Sequence, residues 1–206
     1  MKYLVVLTDG AAGRPMDEIG GKTALEAASM DCVNSLAVHG EVGTVKTVPD
    51  GMAPGSDVAN LSVMGYAPEK YHTGRSPLEA ASMGIDMLPS DVSFRCNLIT
   101  VEGEGAYDEL TIKDHSSGDI TNEEAAELIR YINERLGTDT IRFYPGVSYR
   151  HAMIVKNGST EYELTPPHDV LAQKVGPNLP KGEGSEFITE MMRKSYELLK
   201  DHPVNR

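Results

Sequence analysis

KYLVVLTDG, residues 2–10, is a short apolar run that ends in Thr8, Asp9 and Gly10. An apolar run of this length, closed by a turn, is typical of a buried strand in a parallel α/β sheet. Ligands of open α/β sheets bind beyond the carboxyl ends of the strands, and Asp9 occupies that place. Asp9 is therefore a candidate metal ligand, and a turn residue that caps the next segment is the alternative.

A second segment, PDGMAPGSDVANLSVMGY at residues 49–66, places a serine at a predicted helix start. Pro54 and Gly55 form a tight turn, and apolar residues then recur at helical spacing. Unpaired backbone N–H groups and the helix dipole attract an anion at such a position, so Ser56 is a candidate nucleophile if a metal lowers the pKa of its hydroxyl. A plain helix cap is the alternative interpretation.

Periodicity divides the chain into two regions of different character. The first region alternates predicted strands and helices, as a parallel α/β sheet does: a strand at 2–8, a helix at 24–38, a strand at 41–48 and the Ser56 helix. The second region is α+β with a largely antiparallel sheet, with predicted strands at 91–101, 108–113, 140–145, 149–156 and 160–165, and helices at 122–136 and 185–200. Asn157-Gly158 predicts a hairpin between two of these strands. The predicted fold class is thus α/β, with a second region that is α+β.

Composition restricts the class of partner. The chain has 206 residues, of which 40% are hydrophobic and 24% charged, as is ordinary for a soluble protein. The net charge of −12 argues against nucleic acid and anionic membrane surfaces. The longest apolar runs fall short of the roughly 20 residues that a membrane-spanning helix needs. Cys32 and Cys96 are expected to be free, buried thiols of a cytoplasmic protein.

Two ten-residue stretches are nearly the same: GKTALEAASM at 21–30 and GRSPLEAASM at 74–83. We interpret them as two helix starts with the same capping box, Thr23 with Glu26 and Ser76 with Glu79, rather than as a duplication. Lys22 and Arg75 stand beside these helix starts, where a cation can help to hold phosphate.

The segments together resemble the cofactor-independent phosphoglycerate mutases, in the shorter type first described in archaea. The matching text is LTDGAAGRPMDEIGGKTALEAA, VPDGMAPGSDVANLSVMGY, GRSPLEAASMGI, DVSFRCNLIT, YRHAMIV, TPPHD and DHPVN. The resemblance implies an alkaline-phosphatase-like metal domain whose N-terminal part is 1–75. It further implies an inserted substrate-binding domain at 76–184 and, at 185–206, a helix that leads back to the metal domain.

The resemblance also implies a mechanism and its residues. Asp9 and Ser56 would bind two divalent metal ions, usually manganese, and Ser56 would be phosphorylated; 2,3-bisphosphoglycerate would not be needed. The reaction implied is the interconversion of 3-phosphoglycerate and 2-phosphoglycerate. Family members are longer, and the part absent here supplies most metal ligands, so we expect this chain alone to be inactive and its main partner to be the missing C-terminal half.

A small phosphorylated carboxylic acid needs cationic partners, and arginine pairs with such groups through two bonds. Arg95 and Arg150 lie in otherwise apolar strands, where a charge needs a partner or faces a cleft. The solvent face of each strand is the alternative. We expect substrate contacts from these arginines and from the remaining candidates His151, His168, Asp169, Arg75 and Lys22.

Two other functions stay open from the sequence. A metal-dependent phosphatase or phosphodiesterase of the same superfamily would share the aspartate and the nucleophile. A truncated, non-catalytic protein that binds a metabolite or a partner would explain an early stop. Release of free phosphate would distinguish the first from a mutase.

Overall fold

The computed structural model describes residues 1–8 and 10–205. It divides into two compact units, Met1–Gly65 and Tyr66–Arg206. The predicted α/β class is confirmed by its mixed helices and antiparallel sheets. In the described part of the chain, no helix is both long and apolar enough to cross a membrane.

The first unit contains three short helices: α1 at Ala24–Ala27, α2 at Asp31–Ala37 and α3 at Ser56–Val63. The single helix predicted over 24–38 is therefore wrong, because Ala28 takes an extended conformation that ends α1. The capping box of α1 is confirmed: the Thr23 hydroxyl accepts the Glu26 N–H, and the Glu26 carboxylate accepts the Thr23 N–H.

The strands predicted at 2–8 and 41–48 are not formed. Residues 2–8, which are all described, have no strand partner, and their side chains are largely exposed, with Leu4 at 88% and Val6 at 78%. A strand needs neighbours for its backbone hydrogen bonds, and an apolar run pairs only where a sheet exists to receive it. Val58 is the single buried hydrophobic side chain among the described residues of this unit.

The second unit is built on a three-stranded antiparallel sheet. Its elements in chain order are α4 (Pro68–Tyr71), α5 (Arg75–Ser82), β1 (Val92–Asn97), β2 (Thr100–Glu102), β3 (Thr111–Asp114), α6 (Asn122–Leu136), β4 (Ile141–Val147), β5 (Arg150–Val155) and α7 (Glu186–Leu199). The strand order is β1-β5-β4, and β2 pairs with β3 in a separate two-stranded sheet. Helix α6 begins and ends where the sequence predicts, and Thr121 and Glu124 form its capping box.

The main core lies between one face of the three-stranded sheet and helices α6 and α7. Phe94, Phe143 and Met153 are cross-strand neighbours on that face and pack against buried side chains of α6 such as Ile129. A smaller cluster on the opposite face joins Ala152 and Ile154 of β5 to Ala80 of α5. Because side chains alternate along a strand, every residue of β1 and β5 belongs either to the α6 face or to the α5 face.

The hairpin predicted around Asn157-Gly158 is wrong. Strand β5 already has β1 on one edge and β4 on the other, so no edge remains for residues 160–165. That segment makes only an isolated bridge, between Glu163 and Lys181. The hairpin of this region is β4–β5, whose turn contains Ser148 in the left-handed conformation with φ 52°.

Two further expectations also differ from the structure. Cys32 is exposed rather than buried, whereas Cys96 on the α6 face is partly buried, and burial raises its pKa to about 11. The capping box predicted for Ser76 and Glu79 is absent, because α5 begins at Arg75 with Gly74 at its N-cap and no side-chain cap.

Candidate functional site

Arg95 lies on the α5 face of the three-stranded sheet. It stands opposite Ala152 in register, next to the small apolar cluster around Ala80. Its Nε lies 3.6 Å from the Glu79 carboxylate of α5, and about a quarter of its side chain is exposed. Since 3.6 Å is longer than an N–H···O hydrogen bond, the two groups form an ion pair without a hydrogen bond at Nε.

Several buried polar atoms on this face have no hydrogen-bond partner in the part of the chain that the structure describes. They are Oγ of Ser76 on α5, and Oγ of Ser93, Nε of Arg95 and Oδ1 of Asn97 on β1. Ser93, Arg95 and Asn97 alternate along β1, so all three point to the same face. Buried polar atoms are nearly always paired in folded proteins. The set combines donors, at Arg95 Nε and the two serine hydroxyls, with one acceptor, Oδ1 of Asn97, and could pair with a polar ligand that supplies both kinds of group.

Arg150 extends the polar surface at the end of the sheet. It pairs with Asn97 in register, and its guanidinium lies over the Tyr149 ring, 5.4 Å from the ring centre. The His115 ring meets Tyr149 edge-on at 5.6 Å, and the His168 ring lies 6.3 Å from His115. The structure thus brings together two predicted residues, Arg150 and His168, with His115 and Tyr149, which were not assigned as site residues from the sequence.

The loop that carries His115 is fixed by the carboxylate of Asp114. That carboxylate accepts the N–H groups of Ser116 and Gly118 and the hydroxyl of Ser116. These backbone hydrogen bonds hold the pKa of Asp114 below its usual range. The turn also places Ser117 in the left-handed conformation, with φ 51°. An Asp followed by small residues is therefore the sequence signal that could have identified this loop as rigid.

Asp169 follows His168 in a short 3₁₀ helix, Pro167–Asp169. The His168 Nε2 lies 3.5 Å from the Asp169 carboxylate, and both side chains are more than half exposed. The pair is thus open to solvent and to a ligand at the edge of the cluster of aromatic and imidazole rings.

His151 lies on the opposite face from Arg150. Its side chain is 2% exposed, its Nδ1 accepts the N–H of Gly146 at 3.0 Å, and Cys96 stands opposite it in register. Burial lowers the pKa of His151 to about 4, so the imidazole is neutral near pH 7. The structure does not bring His151 together with the other predicted substrate residues, and its role in binding or proton transfer stays a prediction.

The remaining candidates lie at helix starts or in the first unit. Ser56 is the first residue of α3 and is exposed, with Gly55 at the N-cap, so the predicted helix start is confirmed within one residue. Lys22 is exposed in the first unit, and Arg75 is exposed at the first position of α5 in the second unit. Asp9 lies outside the described residues.

A metal centre is not assembled by the side chains that the structure describes. Among residues 1–8 and 10–205, no group of three or more His, Cys, Asp or Glu side chains could hold a metal ion. Two-metal sites need several such ligands, so these residues do not by themselves fit the implied pair of metals.

Comparison with known proteins gives the family. The family model described as 2,3-bisphosphoglycerate-independent phosphoglycerate mutase matches residues 37–205. The 2,3-bisphosphoglycerate-independent phosphoglycerate mutase of Methanosarcina barkeri is 48% identical over the whole of this chain, which covers 50% of that relative. A probable enzyme of the same name from Geobacter sulfurreducens is also 48% identical, with 51% of its length covered.

A solved structure agrees with the sequence relatives. The cofactor-independent phosphoglycerate mutase of Thermoplasma acidophilum aligns with 95% of this chain and 51% of its own, with a TM-score of 0.54 and 27% identity. A protein from Pyrococcus horikoshii aligns with 96% of this chain and 44% of its own, with a TM-score of 0.67 and 26% identity. The chain thus spans about half the length of the relatives it matches. It belongs to the 2,3-bisphosphoglycerate-independent phosphoglycerate mutase family.

Proposed function

We propose that this chain is part of a metal-dependent isomerase that interconverts 3-phosphoglycerate and 2-phosphoglycerate through a phosphoserine. The observation that carries the proposal is the α5 face of the sheet, where unpaired buried polar atoms accompany Arg95 and where Arg150 extends the surface. The carboxylate and phosphoryl oxygens of a phosphorylated carboxylic acid would accept hydrogen bonds from the arginine and the serine hydroxyls, and its own hydroxyl group could donate to Oδ1 of Asn97. Family membership gives the reaction that this ligand would undergo.

In the proposed reaction, Ser56 is the nucleophile. Its hydroxyl oxygen forms a bond to phosphorus as the bond to the 3-oxygen of phosphoglycerate breaks, and the serine proton passes to the departing glycerate. The glycerate turns within the site, and its 2-oxygen then takes the phosphoryl group while serine regains a proton. Ser56 is an exposed residue at the start of α3, which supports access of a substrate to it.

The metal part of the proposal uses Asp9 and Ser56 as ligands of two divalent ions, with manganese as the metal. A metal of this kind lowers the pKa of a bound hydroxyl and neutralises phosphoryl charge. The described residues do not complete such a centre, so further ligands would have to come from outside them.

Substrate holding is assigned to the second unit. We propose that Arg95 and Arg150 bind the carboxylate or phosphoryl oxygens, with His115, His168 and Asp169 at the edge of the same surface. Lys22 and Arg75 are proposed as further phosphate contacts at helix starts. A cytoplasmic location also stays a prediction.

The remaining half of a longer chain is the proposed partner. The relatives extend over about twice the matched length, and the first unit exposes the apolar residues of 2–8 and 41–48. Such segments gain hydrogen bonds and burial if strands of another part of the protein pair with them. We therefore expect amides of 2–8 to exchange rapidly with solvent in this chain alone and slowly in a full-length protein that contains it. Equal exchange in both would contradict the assignment.

The test of function follows phosphoglycerate by phosphorus NMR, in this chain and in a full-length protein that contains it. We expect conversion of 3-phosphoglycerate to 2-phosphoglycerate only in the full-length protein, and its loss in Ser56→Ala. Arg150→Ala should raise KM, whereas Arg142→Ala, which removes an exposed arginine elsewhere on the same sheet, should not.

Each alternative function predicts a different result. Free phosphate as the main product of the full-length protein would indicate a phosphatase. Tight phosphoglycerate binding without turnover in any form would indicate a non-catalytic binding protein. Full activity of Ser56→Ala would refute Ser56 as the nucleophile.

A further inference from the structure

The two nearly identical stretches at 21–30 and 74–83 use their glutamates differently. In the first, Glu26 closes the capping box of α1 with Thr23. In the second, Gly74 takes the N-cap position with φ 122°, a conformation that favours glycine, and α5 begins before Ser76. Glu79 is thereby not needed as a cap, although the sequence around it is that of a capping box.

Glu79 instead faces Arg95. Its carboxylate lies 3.6 Å from the Arg95 Nε, and about a third of its side chain is exposed. Apolar side chains pack beside the pair, because Ala80 of α5 packs on Ala152 of β5, the neighbour of Arg95 in register. A charge in such a setting is costly without an opposite charge nearby, so the pair stabilises the arginine in this place.

The pair leaves hydrogen-bonding capacity at the arginine. The Arg95 Nε is buried yet has no hydrogen-bond partner within the described residues, and the same holds for Oγ of Ser93 and Oδ1 of Asn97 on either side of it. Arginine binds carboxylate and phosphate best when its planar fork is oriented before the ligand arrives. An ion pair that fixes the guanidinium without saturating it meets that requirement.

We propose that Glu79 is a positioning residue, which orients the Arg95 guanidinium on the α5 face for the carboxylate or phosphoryl oxygens of phosphoglycerate. This inference rests on the proposed function, since it assigns Arg95 to the substrate. A negative charge beside an anion site opposes binding by simple electrostatics. Orientation and charge therefore predict opposite results when Glu79 is changed.

The experiment compares Glu79→Gln with Glu26→Gln, the same change in the matching motif, where the glutamate serves only as a cap. The dissociation constant of 3-phosphoglycerate is measured by NMR titration of the chain. The Arg95 Nε–Hε signal is recorded before ligand is added. Loss of one well-oriented charge-assisted hydrogen bond corresponds to about a tenfold weaker affinity in Glu79→Gln. Glu26→Gln should bind as the unmodified chain does.

A second variant, Glu79→Asp, keeps the charge and shortens the side chain. Positioning predicts weaker binding here as well, whereas a purely electrostatic role predicts unchanged binding. Far-UV circular dichroism and urea unfolding establish that each variant is folded. If Glu79→Gln does not fold, the binding of Glu79→Asp decides whether Glu79 has a positioning role.

The outcomes separate this inference from the proposed function. Tighter or unchanged binding in Glu79→Gln, with a folded protein, would overturn the positioning role. Absence of any binding to the unmodified chain would overturn the proposed substrate surface instead. In that case the ligand-free Arg95 signal still decides the role of Glu79. A signal that broadens or moves in Glu79→Gln and not in Glu26→Gln supports positioning, and an unchanged signal refutes it.

Discussion

The buried imidazole of His151 should make the second unit sensitive to acid. Burial lowers its pKa from 6.5 to about 4 in the folded chain, so the unfolded chain binds a proton more readily. The stability contributed by keeping this imidazole neutral is therefore fully present above the unfolded pKa of 6.5. It is lost as pH falls from there through the folded pKa of about 4. By linkage, the free energy of unfolding falls by about 2 kcal/mol between pH 7 and pH 5, and by about 3 kcal/mol when pH 4 is reached.

The assay is urea unfolding at pH 7 and pH 5, for the unmodified chain and for His151→Asn. The Asn Oδ1 can occupy the place of Nδ1 and accept the Gly146 N–H, so the hydrogen bond is kept while the titrating group is removed. Carboxyl groups titrate in both proteins, and the difference between their pH dependences isolates His151. His39→Asn, at an exposed residue of the first unit, is the matched control.

The result that would refute this reasoning is an equal loss of unfolding free energy in the two proteins between pH 7 and pH 5. It would mean that His151 does not resist protonation in the folded chain. A smaller loss in His151→Asn, with His39→Asn like the unmodified chain, is the expected result.

Two further predictions concern local geometry. Thr121→Ala removes the side-chain cap of α6 and should lower the free energy of unfolding by about 1 kcal/mol. Urea unfolding at pH 7 measures this change. An unchanged free energy of unfolding would show that water replaces the cap. Gly146→Ala places a Cβ 2.2 Å from the Arg150 carbonyl oxygen, a backbone atom that cannot rotate away, so the β4–β5 hairpin must shift at a cost of about 2 kcal/mol. Phosphoglycerate binding should weaken with it, and unaltered stability and affinity in this variant would contradict the close approach.

The sequence predicts those elements whose signals are local. Helix α6 is recovered to the residue because Thr121 and Glu124 mark its start and an apolar stripe marks its length. The helix start at Ser56 is recovered from the preceding Pro-Gly turn and the apolar spacing that follows, although Gly55 rather than a side chain stands at the N-cap. Prediction fails where the outcome depends on distant parts of the chain. Residues 160–165 carry strand-forming side chains, but β5 has no edge left to pair with them.

The candidate site shows the same division. The arginines were predicted because a charge inside an apolar strand is visible in the sequence, and both lie on the α5 face. His115 and Tyr149 were not assigned, since only the folded loop brings their rings to Arg150. The sequence assigned Glu79 to a capping box, and the conformation of Gly74 decides otherwise.

The two units differ in what their own residues can stabilise. Side chains of α6 and the sheet bury a core in the second unit, and its polar surface is therefore held on rigid elements. In the first unit, Val58 is the single buried hydrophobic side chain among the residues described. Burying one such side chain contributes about 1.5–3 kcal/mol, whereas ordering the backbone costs about 1–2 kcal/mol for each residue. The helix start that carries Ser56 thus needs stabilising contacts beyond those of its own unit. If Ser56 is the nucleophile, as proposed above, it must be held in place to react, and the proposed reaction then needs contacts for residues 2–8 and 41–48 as well as the α5 face of the sheet.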